Sequence, residues 1–247
     1  MERASGSEAA DDLKSYVFSL GIELFGIASV EDYKKFFPSK PQPTNFIKEA
    51  RSIMVIGLPL EPYTVATVLK PEISAIGSRY AYEEGGYREK EFSAATRRWF
   101  LTEEKETIYS ELDLFSYRIS KRLRKTGFKA FHTSVNKKDD IFWRAPFYHQ
   151  PAMYLTGLGT WGMNCCILSP EFGPRVYVTT IITDCPLPAG RPREEELCTK
   201  CGLCVKHCPS NSIDGKGWKN PYACGGYGCC DVCIAVCPVG ELKVPKI

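Results

Sequence analysis

The spacing of apolar positions predicts both helices and strands over the first three quarters of the chain. Near the N-terminus, Leu13, Val17 and Leu20 fall on one face of a helix, and we expect its cap at Asp11 or Asp12. Residues 89–126 form the longest helical pattern. Its apolar positions recur at steps of three and four: Ile108, Leu112, Phe115, Ile119 and Leu123.

The basic residues that follow within this pattern belong to the end of the helix. Lys121, Arg122, Arg124 and Lys125 fill the last turn, and Gly127 comes directly after it. Such a run resembles a nucleic-acid patch, but cations complement the negative end of a helix dipole. We therefore interpret it as a solvated helix end.

Short β-branched and aromatic runs predict strands between the helices. The runs are ELFGIAS, SIMVIGLPL, FKAFHT, NCCILS and RVYVTTIIT, and a short helix is expected over FYHQPAMYLTG, which ends at Gly157. This order of elements predicts an α+β fold. Cys165 and Cys166 are expected to pack as small apolar residues on the NCCILS strand.

A glycine motif of the G-x-G-x-x-G type lies at Gly157, Gly159 and Gly162. In a dinucleotide-binding fold such glycines follow a strand and open a helix. Here they follow a predicted helix and lead into a strand, so we expect no binding of NAD or FAD. The glycines more simply permit a tight turn and a close approach of the backbone.

Composition changes after Pro188. Nine of the 12 cysteines lie between Cys198 and Cys237, and the segment LPAGRPREEE has the composition of a linker. We predict an α+β domain over residues 1–187 and a cysteine-rich module over residues 188–247. With 44% hydrophobic and 25% charged residues and no apolar run of membrane-spanning length, the chain is expected to be cytoplasmic. The net charge of +3 gives no reason to expect nucleic acid as a partner.

The first cysteine run has the spacing C-x2-C-x2-C-x3-C-P. Its members are Cys198, Cys201, Cys204 and Cys208. This spacing is typical of ferredoxins with two [4Fe–4S] clusters, in which three thiolates bind one cluster and the fourth binds the other. Zinc sites usually show two well-separated cysteine pairs, so iron–sulfur ligation is the better interpretation.

The second run, CCDVCIAVCP, is an incomplete copy of the first. Cys230, Cys233 and Cys237 keep its spacing, and the missing ligand has to be Cys224 or Cys229. Because neighbouring cysteines seldom face one metal site, we choose Cys224 over Cys229. The crossed pattern then assigns Cys198, Cys201, Cys204 and Cys237 to the first cluster, and Cys208, Cys224, Cys230 and Cys233 to the second.

Three further motifs, followed by the cysteine runs, carry a resemblance to a known superfamily. The motifs are SRYAYEEGGYREK, GLGTWGMNCCILSPEFGPRV and IITDCPL. In this order they resemble epoxyqueuosine reductases and reductive dehalogenases. The resemblance implies a cobalamin-binding, flavin-reductase-like α+β domain followed by a two-cluster ferredoxin-like module. It also implies a base-off cobalamin held by backbone groups at Gly157, Leu158, Gly159, Gly162 and Asn164.

The function implied is a cobalamin-dependent reductase that passes electrons from two clusters to a small organic substrate. The alternatives are an electron-transfer protein that reduces a partner corrinoid protein, and a corrinoid-binding chaperone. Either of the first two needs an external low-potential electron donor. Candidate catalytic residues are Tyr80, Asp139, Asp140 and His149. We expect a short member without the C-terminal helical-repeat extension of epoxyqueuosine reductases.

Overall fold

A computed structural model describes residues 6–69, 99–135, 145–226 and 230–241 of the chain. The helices in these ranges are α1 (Gly6–Ser19), α2 (Val30–Phe36), α3 (Pro62–Thr67), α4 (Trp99–Lys125), α5 (His149–Leu155), α6 (Leu203–Lys206), α7 (Pro221–Gly226) and α8 (Val232–Ala235). The strands are β1 (Leu24–Ser29), β2 (Ser52–Pro59), β3 (Ala130–His132), β4 (Thr160–Trp161), β5 (Ile167–Leu168) and β6 (Val176–Thr183). The predicted α+β fold class is confirmed.

The main sheet has the strand order β1-β2-β6-β3, and each neighbouring pair is antiparallel. Ser52 of β2 lies opposite both Ser29 of β1 and Thr183 of β6. The apolar run of β2 is buried along nearly its whole length: β1 and β6 pair with its two edges, and helix α5 packs against it. All the runs that form this sheet were predicted as strands.

Of the three helices that the sequence pattern predicted, two agree with the structure where it is described, and the third starts earlier than expected. Helix α4 buries Ile108, Leu112, Ile119 and Leu123 and ends at Lys125, as predicted. Helix α1 begins at Gly6, so Asp11 and Asp12 lie within the helix and do not cap it. The predicted cap was therefore wrong. The described part of the chain contains no helix with the length and apolar character needed to cross a membrane.

The chain divides into two compact units, which interleave along the sequence. The first comprises residues 1–59, 108–160 and 176–195, and contains the main sheet; the second comprises residues 60–107, 161–175 and 196–247, and contains both cysteine runs. The domain boundary between residues 187 and 188 stays a prediction.

The segment LPAGRPREEE, which we predicted to be a linker, is attached to the main sheet by a backbone hydrogen bond. The Gly190 N–H donates to the carbonyl of Ile27 in β1 at 2.8 Å, and both residues belong to the first unit. A Cβ at Gly190 would lie closer than 3.0 Å to the carbonyl oxygen of Thr156, so a glycine is needed for this approach. Composition indicated a loop correctly, but it could not show that a backbone hydrogen bond attaches this loop to the sheet.

Candidate metal centre

The first cysteine run contains a loop with two left-handed residues, followed by the short helix α6 (Leu203–Lys206). Lys200 and Gly202 adopt left-handed backbone conformations, with φ of 55° and 74°. The Gly202 carbonyl then accepts from the N–H groups of Val205 and Lys206 at 3.1 and 3.0 Å, which begins helix α6. Two left-handed residues within three positions reverse the chain direction. The cysteines on either side can therefore face a common centre.

The second run repeats this backbone geometry. Asp231, which corresponds to Gly202, has φ of 58°, and its carbonyl accepts from Ile234 and Ala235 at 2.9 and 3.0 Å to begin helix α8. Aspartate tolerates this conformation better than most residues. Its carboxylate also forms a largely buried ion pair with the Lys105 Nζ at 2.6 Å. Gly202 and Asp231 thus share one backbone conformation at corresponding positions of the two runs.

Four cysteines of the second unit line one cavity. They are Cys198, Cys201, Cys204 and Cys237, the set that the crossed pattern assigns to the first cluster. The cavity contains about 310 Å³ of empty space, part of it open to solvent, and Met163, Asn164 and Leu168 complete one wall. A cage of four thiols with a largely apolar wall has the donor chemistry that a [4Fe–4S] cluster requires.

Burial raises the pKa of two of these four thiols. Burial raises the pKa of Cys204, and the nearby Cys198 and Cys201 raise it further. Burial likewise raises the pKa of Cys237, while the Val239 N–H and Arg175 oppose the rise. Crowded thiols resist ionisation because like charges repel, and iron would relieve that repulsion by binding the thiolates.

No three His, Cys, Asp or Glu side chains converge tightly enough to hold a single metal ion in the ranges that the structure describes. A cubane binds each thiolate at a separate iron corner, so its ligands stand further apart than those of one ion. The four-cysteine cavity therefore fits a cluster without presenting a compact single-ion site.

A buried arginine secures the segment that carries Cys237. Arg175 has 1% of its surface exposed, and its guanidinium donates to the carbonyls of Cys237 at 3.0 Å and Val239 at 2.7 Å. Gly173 permits this packing, because a Cβ there would overlap the Val239 carbonyl oxygen. Sequence reasoning missed Arg175, since it precedes an apolar strand and lies 62 positions from Cys237.

Hydrogen bonds connect two of the predicted ligands of the second cluster. The Cys208 Sγ accepts from the Ser212 N–H at 3.3 Å, and the Ser212 carbonyl accepts from the Asn220 N–H at 2.8 Å. The Cys224 N–H in turn donates to the Asn220 carbonyl at 3.1 Å. Burial raises the pKa of the Cys208 thiol, but the hydrogen bonds from Ser210 and Ser212 outweigh it and the net pKa is lowered.

Lys219 lies among the remaining cysteines of the second unit. Burial lowers the pKa of its ammonium, but Cys166, Cys224 and Cys233 outweigh this effect and raise the pKa above its usual value. A cation placed among thiols stabilises their thiolate forms. Like Arg175, Lys219 was not singled out by its sequence pattern.

Cys165 and Cys166 do not lie on a strand, and that prediction was wrong. They occupy the turn that precedes β5, and Cys165 has φ of 62°. Burial raises the pKa of the Cys166 thiol to about 11. The buried Asn164 organises this turn: its Oδ1 accepts from the Cys166 N–H at 3.2 Å, and its Nδ2 donates to the Cys233 carbonyl at 3.5 Å.

Packing within the chain explains why glycines stand at two positions of the glycine motif. Gly157 follows α5 with φ of 79°, and a Cβ there would lie closer than 3.0 Å to the Arg191 carbonyl oxygen. A Cβ at Gly162 would press on Asn164 and Leu168. Helix α5 precedes the motif and strand β5, within the predicted NCCILS run, follows it, which confirms the predicted order of helix and strand; β4 lies inside the motif and was not predicted. The division between the units places Gly157, Leu158 and Gly159 in the first unit, and Gly162 and Asn164 in the second.

Of the candidate catalytic residues, His149 alone lies in the described ranges; Tyr80, Asp139 and Asp140 lie outside them, as does Cys229. The His149 Nε2 lies 3.2 Å from the Ser134 carbonyl, and its Nδ1 lies 3.2 Å from the Thr180 Oγ1. Burial lowers the pKa of this imidazole to about 4. Its two nitrogens are therefore engaged within the first unit, in the neutral form.

Comparison with protein families identifies part of the cysteine-rich segment. Residues 192–214 match the family model described as a 4Fe–4S binding domain. This range contains all four cysteines of the first run. The predicted iron–sulfur character of the module is confirmed for this segment.

Curated relatives match over part of their length. An epoxyqueuosine reductase from Listeria monocytogenes is 33% identical over 102 residues, which cover 33% of this chain and 27% of the relative. A tetrachloroethene reductive dehalogenase from Sulfurospirillum multivorans is 37% identical over 101 residues, which cover 31% of this chain and 20% of the relative. The matched segments thus span about a quarter of each relative.

Solved structures share the fold over most of the chain. An epoxyqueuosine reductase in complex with an epoxyqueuosine-modified tRNA stem loop superposes with a TM-score of 0.60 at 18% identity, covering 96% of this chain and 66% of that one. A reductive dehalogenase, whose structure is described as suggesting a mechanism for B12-dependent dehalogenation, superposes with a TM-score of 0.57 at 20% identity. The superposition covers 86% of this chain and 26% of that one. The tRNA complex counts against our expectation that nucleic acid is an unlikely partner. Over part of its sequence this chain is similar to epoxyqueuosine reductases and reductive dehalogenases, it shares the fold of their solved structures, and its residues 192–214 match a 4Fe–4S binding domain.

Proposed function

We propose that this protein is a reductase in which two [4Fe–4S] clusters pass electrons to a cobalamin and on to a small organic substrate. The observation that carries the proposal is the cavity lined by Cys198, Cys201, Cys204 and Cys237. Cys237 lies in the second run, so the crossed arrangement of a two-cluster module is the simplest reason for it to join the first three.

The second cluster is proposed at Cys208, Cys224, Cys230 and Cys233. The hydrogen bonds that run from Cys208 through Ser212 and Asn220 to Cys224 support Cys224 as its fourth ligand. N–H donors to a thiolate stabilise its charged form, which is the form that binds iron. Asn220 also begins helix α7, because its Oδ1 accepts from the N–H groups of Tyr222 and Ala223 at 3.1 and 3.2 Å.

Cobalamin is proposed because a structural relative is described with B12-dependent dehalogenation. When bound, a cobalamin supplies a reducible cobalt centre whose electronics depend on axial ligation and burial. The contacts of His149 count against this histidine as a cobalt ligand, since Ser134 and Thr180 engage both of its ring nitrogens. The backbone of the segment 157–164 remains the region that we propose to contact the cobalamin. Gly157 and Gly162 are also needed for packing within the chain, because a Cβ at either position would clash with neighbouring atoms.

Electron transfer to a partner corrinoid protein is the second candidate function. Cys201 is exposed, so the rim of the proposed first cluster would be accessible from solvent. An accessible cluster can exchange electrons with another protein as well as with an internal acceptor. In both candidates, an external low-potential donor supplies the electrons.

The test combines metal analysis with a cofactor titration. Protein purified without oxygen is expected to contain close to eight iron and eight sulfide per chain, and to bind cob(II)alamin about one to one with a base-off EPR spectrum. If the protein contains the expected iron but does not bind cobalamin, the reductase proposal is refuted and electron transfer to a partner protein becomes the better account. Four iron per chain, or stoichiometric zinc, would refute the two-cluster proposal itself.

A further inference from the structure

Arg175 places a permanent positive charge beside one ligand of the proposed first cluster. Its side chain is buried, and its two terminal nitrogens donate to the carbonyls of Cys237 and Val239. Burial lowers the pKa of the guanidinium from its usual value, and the charge of Cys237 opposes that shift. Because arginine stays protonated in proteins, this charge is present at every working pH.

Burial makes this charge effective. Charges in a protein interior are screened less than charges in water, so their interactions are stronger at the same distance. A [4Fe–4S] cluster gains one electron, and thus one negative charge, when the external donor reduces it. The potential of such clusters depends on net charge, hydrogen bonds and solvent exposure.

We propose that Arg175 raises the reduction potential of the cluster held by Cys198, Cys201, Cys204 and Cys237, by stabilising its reduced form. The inference rests on the proposed first cluster. Arg175 acts here as a positioning and tuning residue, because its hydrogen bonds go to main-chain carbonyls and its charge acts through space on the iron–sulfur core.

The structure also provides a contrast between buried and exposed cations. Lys200 directly precedes the ligand Cys201, but it is exposed and pairs with Glu196 at 2.8 Å. Solvent screens such a charge. If proximity in sequence were sufficient, Lys200 would affect the first cluster as strongly as Arg175; if burial decides, Arg175 has the larger effect.

The experiment is an anaerobic redox titration followed by EPR on the full chain and its variants. Arg175→Gln keeps hydrogen-bond donors without the charge, Arg175→Lys keeps the charge, and Lys200→Gln is the control. Cys208→Ala removes a ligand of the second cluster alone and so identifies the signal of the first. Iron content and the melting temperature are measured on every variant.

We expect Arg175→Gln to shift the potential of the first cluster to more negative values, while Arg175→Lys and Lys200→Gln stay near wild type and the second cluster is unchanged. Loss of the first cluster in Arg175→Gln but not in Arg175→Lys would also support a requirement for charge. An unshifted potential in Arg175→Gln, or equal loss of the cluster in both Arg175 variants, would overturn the inference. Absence of any iron at the first site in the wild type would instead refute the proposed function.

Discussion

Replacement of Gly157 by alanine distinguishes contacts within the chain from contacts with a cofactor. Gly157 has φ of 79°, and a Cβ there would lie closer than 3.0 Å to the Arg191 carbonyl oxygen. That oxygen belongs to main chain beside Gly190, whose N–H is bonded to Ile27, so it has little freedom to move away. The change should therefore destabilise the protein before any cofactor is added.

Two costs contribute to the expected magnitude. An L-residue in the left-handed region costs about 1–2 kcal/mol. Forcing an extra carbon into packed surroundings costs typically about 1–3 kcal/mol more. We expect Gly157→Ala to lower the free energy of unfolding by about 2–5 kcal/mol.

Gly21 is the matched control. It has φ of 83°, and nothing lies within 4 Å of the position that a Cβ would take. Gly21→Ala should therefore cost only the backbone term of about 1–2 kcal/mol. The difference between the two variants isolates the clash with the Arg191 carbonyl.

The assay is thermal melting of both variants and wild type at one scan rate, followed by circular dichroism without added cobalamin. For a chain of this size, each 1 kcal/mol corresponds to roughly 2–4 °C in Tm. Equal melting of Gly157→Ala and Gly21→Ala, with loss of cobalamin retention only in Gly157→Ala, would refute the reasoning. It would show that the glycine serves a bound macrocycle and not the chain.

Two more predictions concern the second cluster and His149. Cys224→Ala should lower the iron content from about eight to about four per chain while Cys229→Ala keeps both clusters; the reverse would show that Cys229 is the fourth ligand. The folded-state pKa of His149, about 4, lies below its ordinary 6.5, so unfolding takes up a proton between these values. The stability of wild type should therefore fall as the pH drops from 6.5 to 4, by about 3 kcal/mol at most, and remain unaffected by His149 above pH 6.5. The midpoint of urea unfolding should vary less between pH 4 and 6.5 in His149→Gln than in wild type. If the two proteins show the same pH dependence, protonation of His149 does not cause the loss of stability.

The strands of the main sheet and both cysteine runs follow from the sequence because their determinants are local. The apolar run that becomes β2 is readable from residue type alone, since burial on both faces requires continuous hydrophobicity. The spacing of Cys198, Cys201 and Cys204 within one turn is equally local, and it predicted a common site. The start of α1 was misjudged because Asp11 and Asp12 are compatible with an exposed helix surface as well as with a cap.

The structure was needed wherever residues far apart in the chain meet. The contact between Arg175 and Cys237, and the position of Lys219 among thiols, depend on how loops return to the same place, which no short pattern encodes. At Gly157, the sequence determined one feature and the tertiary structure determined another. The sequence by itself indicated that a tight turn is permitted there, because glycine adopts a left-handed conformation without strain. Only the tertiary structure decided what approaches the turn, because the carbonyl of Arg191 reaches it through packing across the first unit.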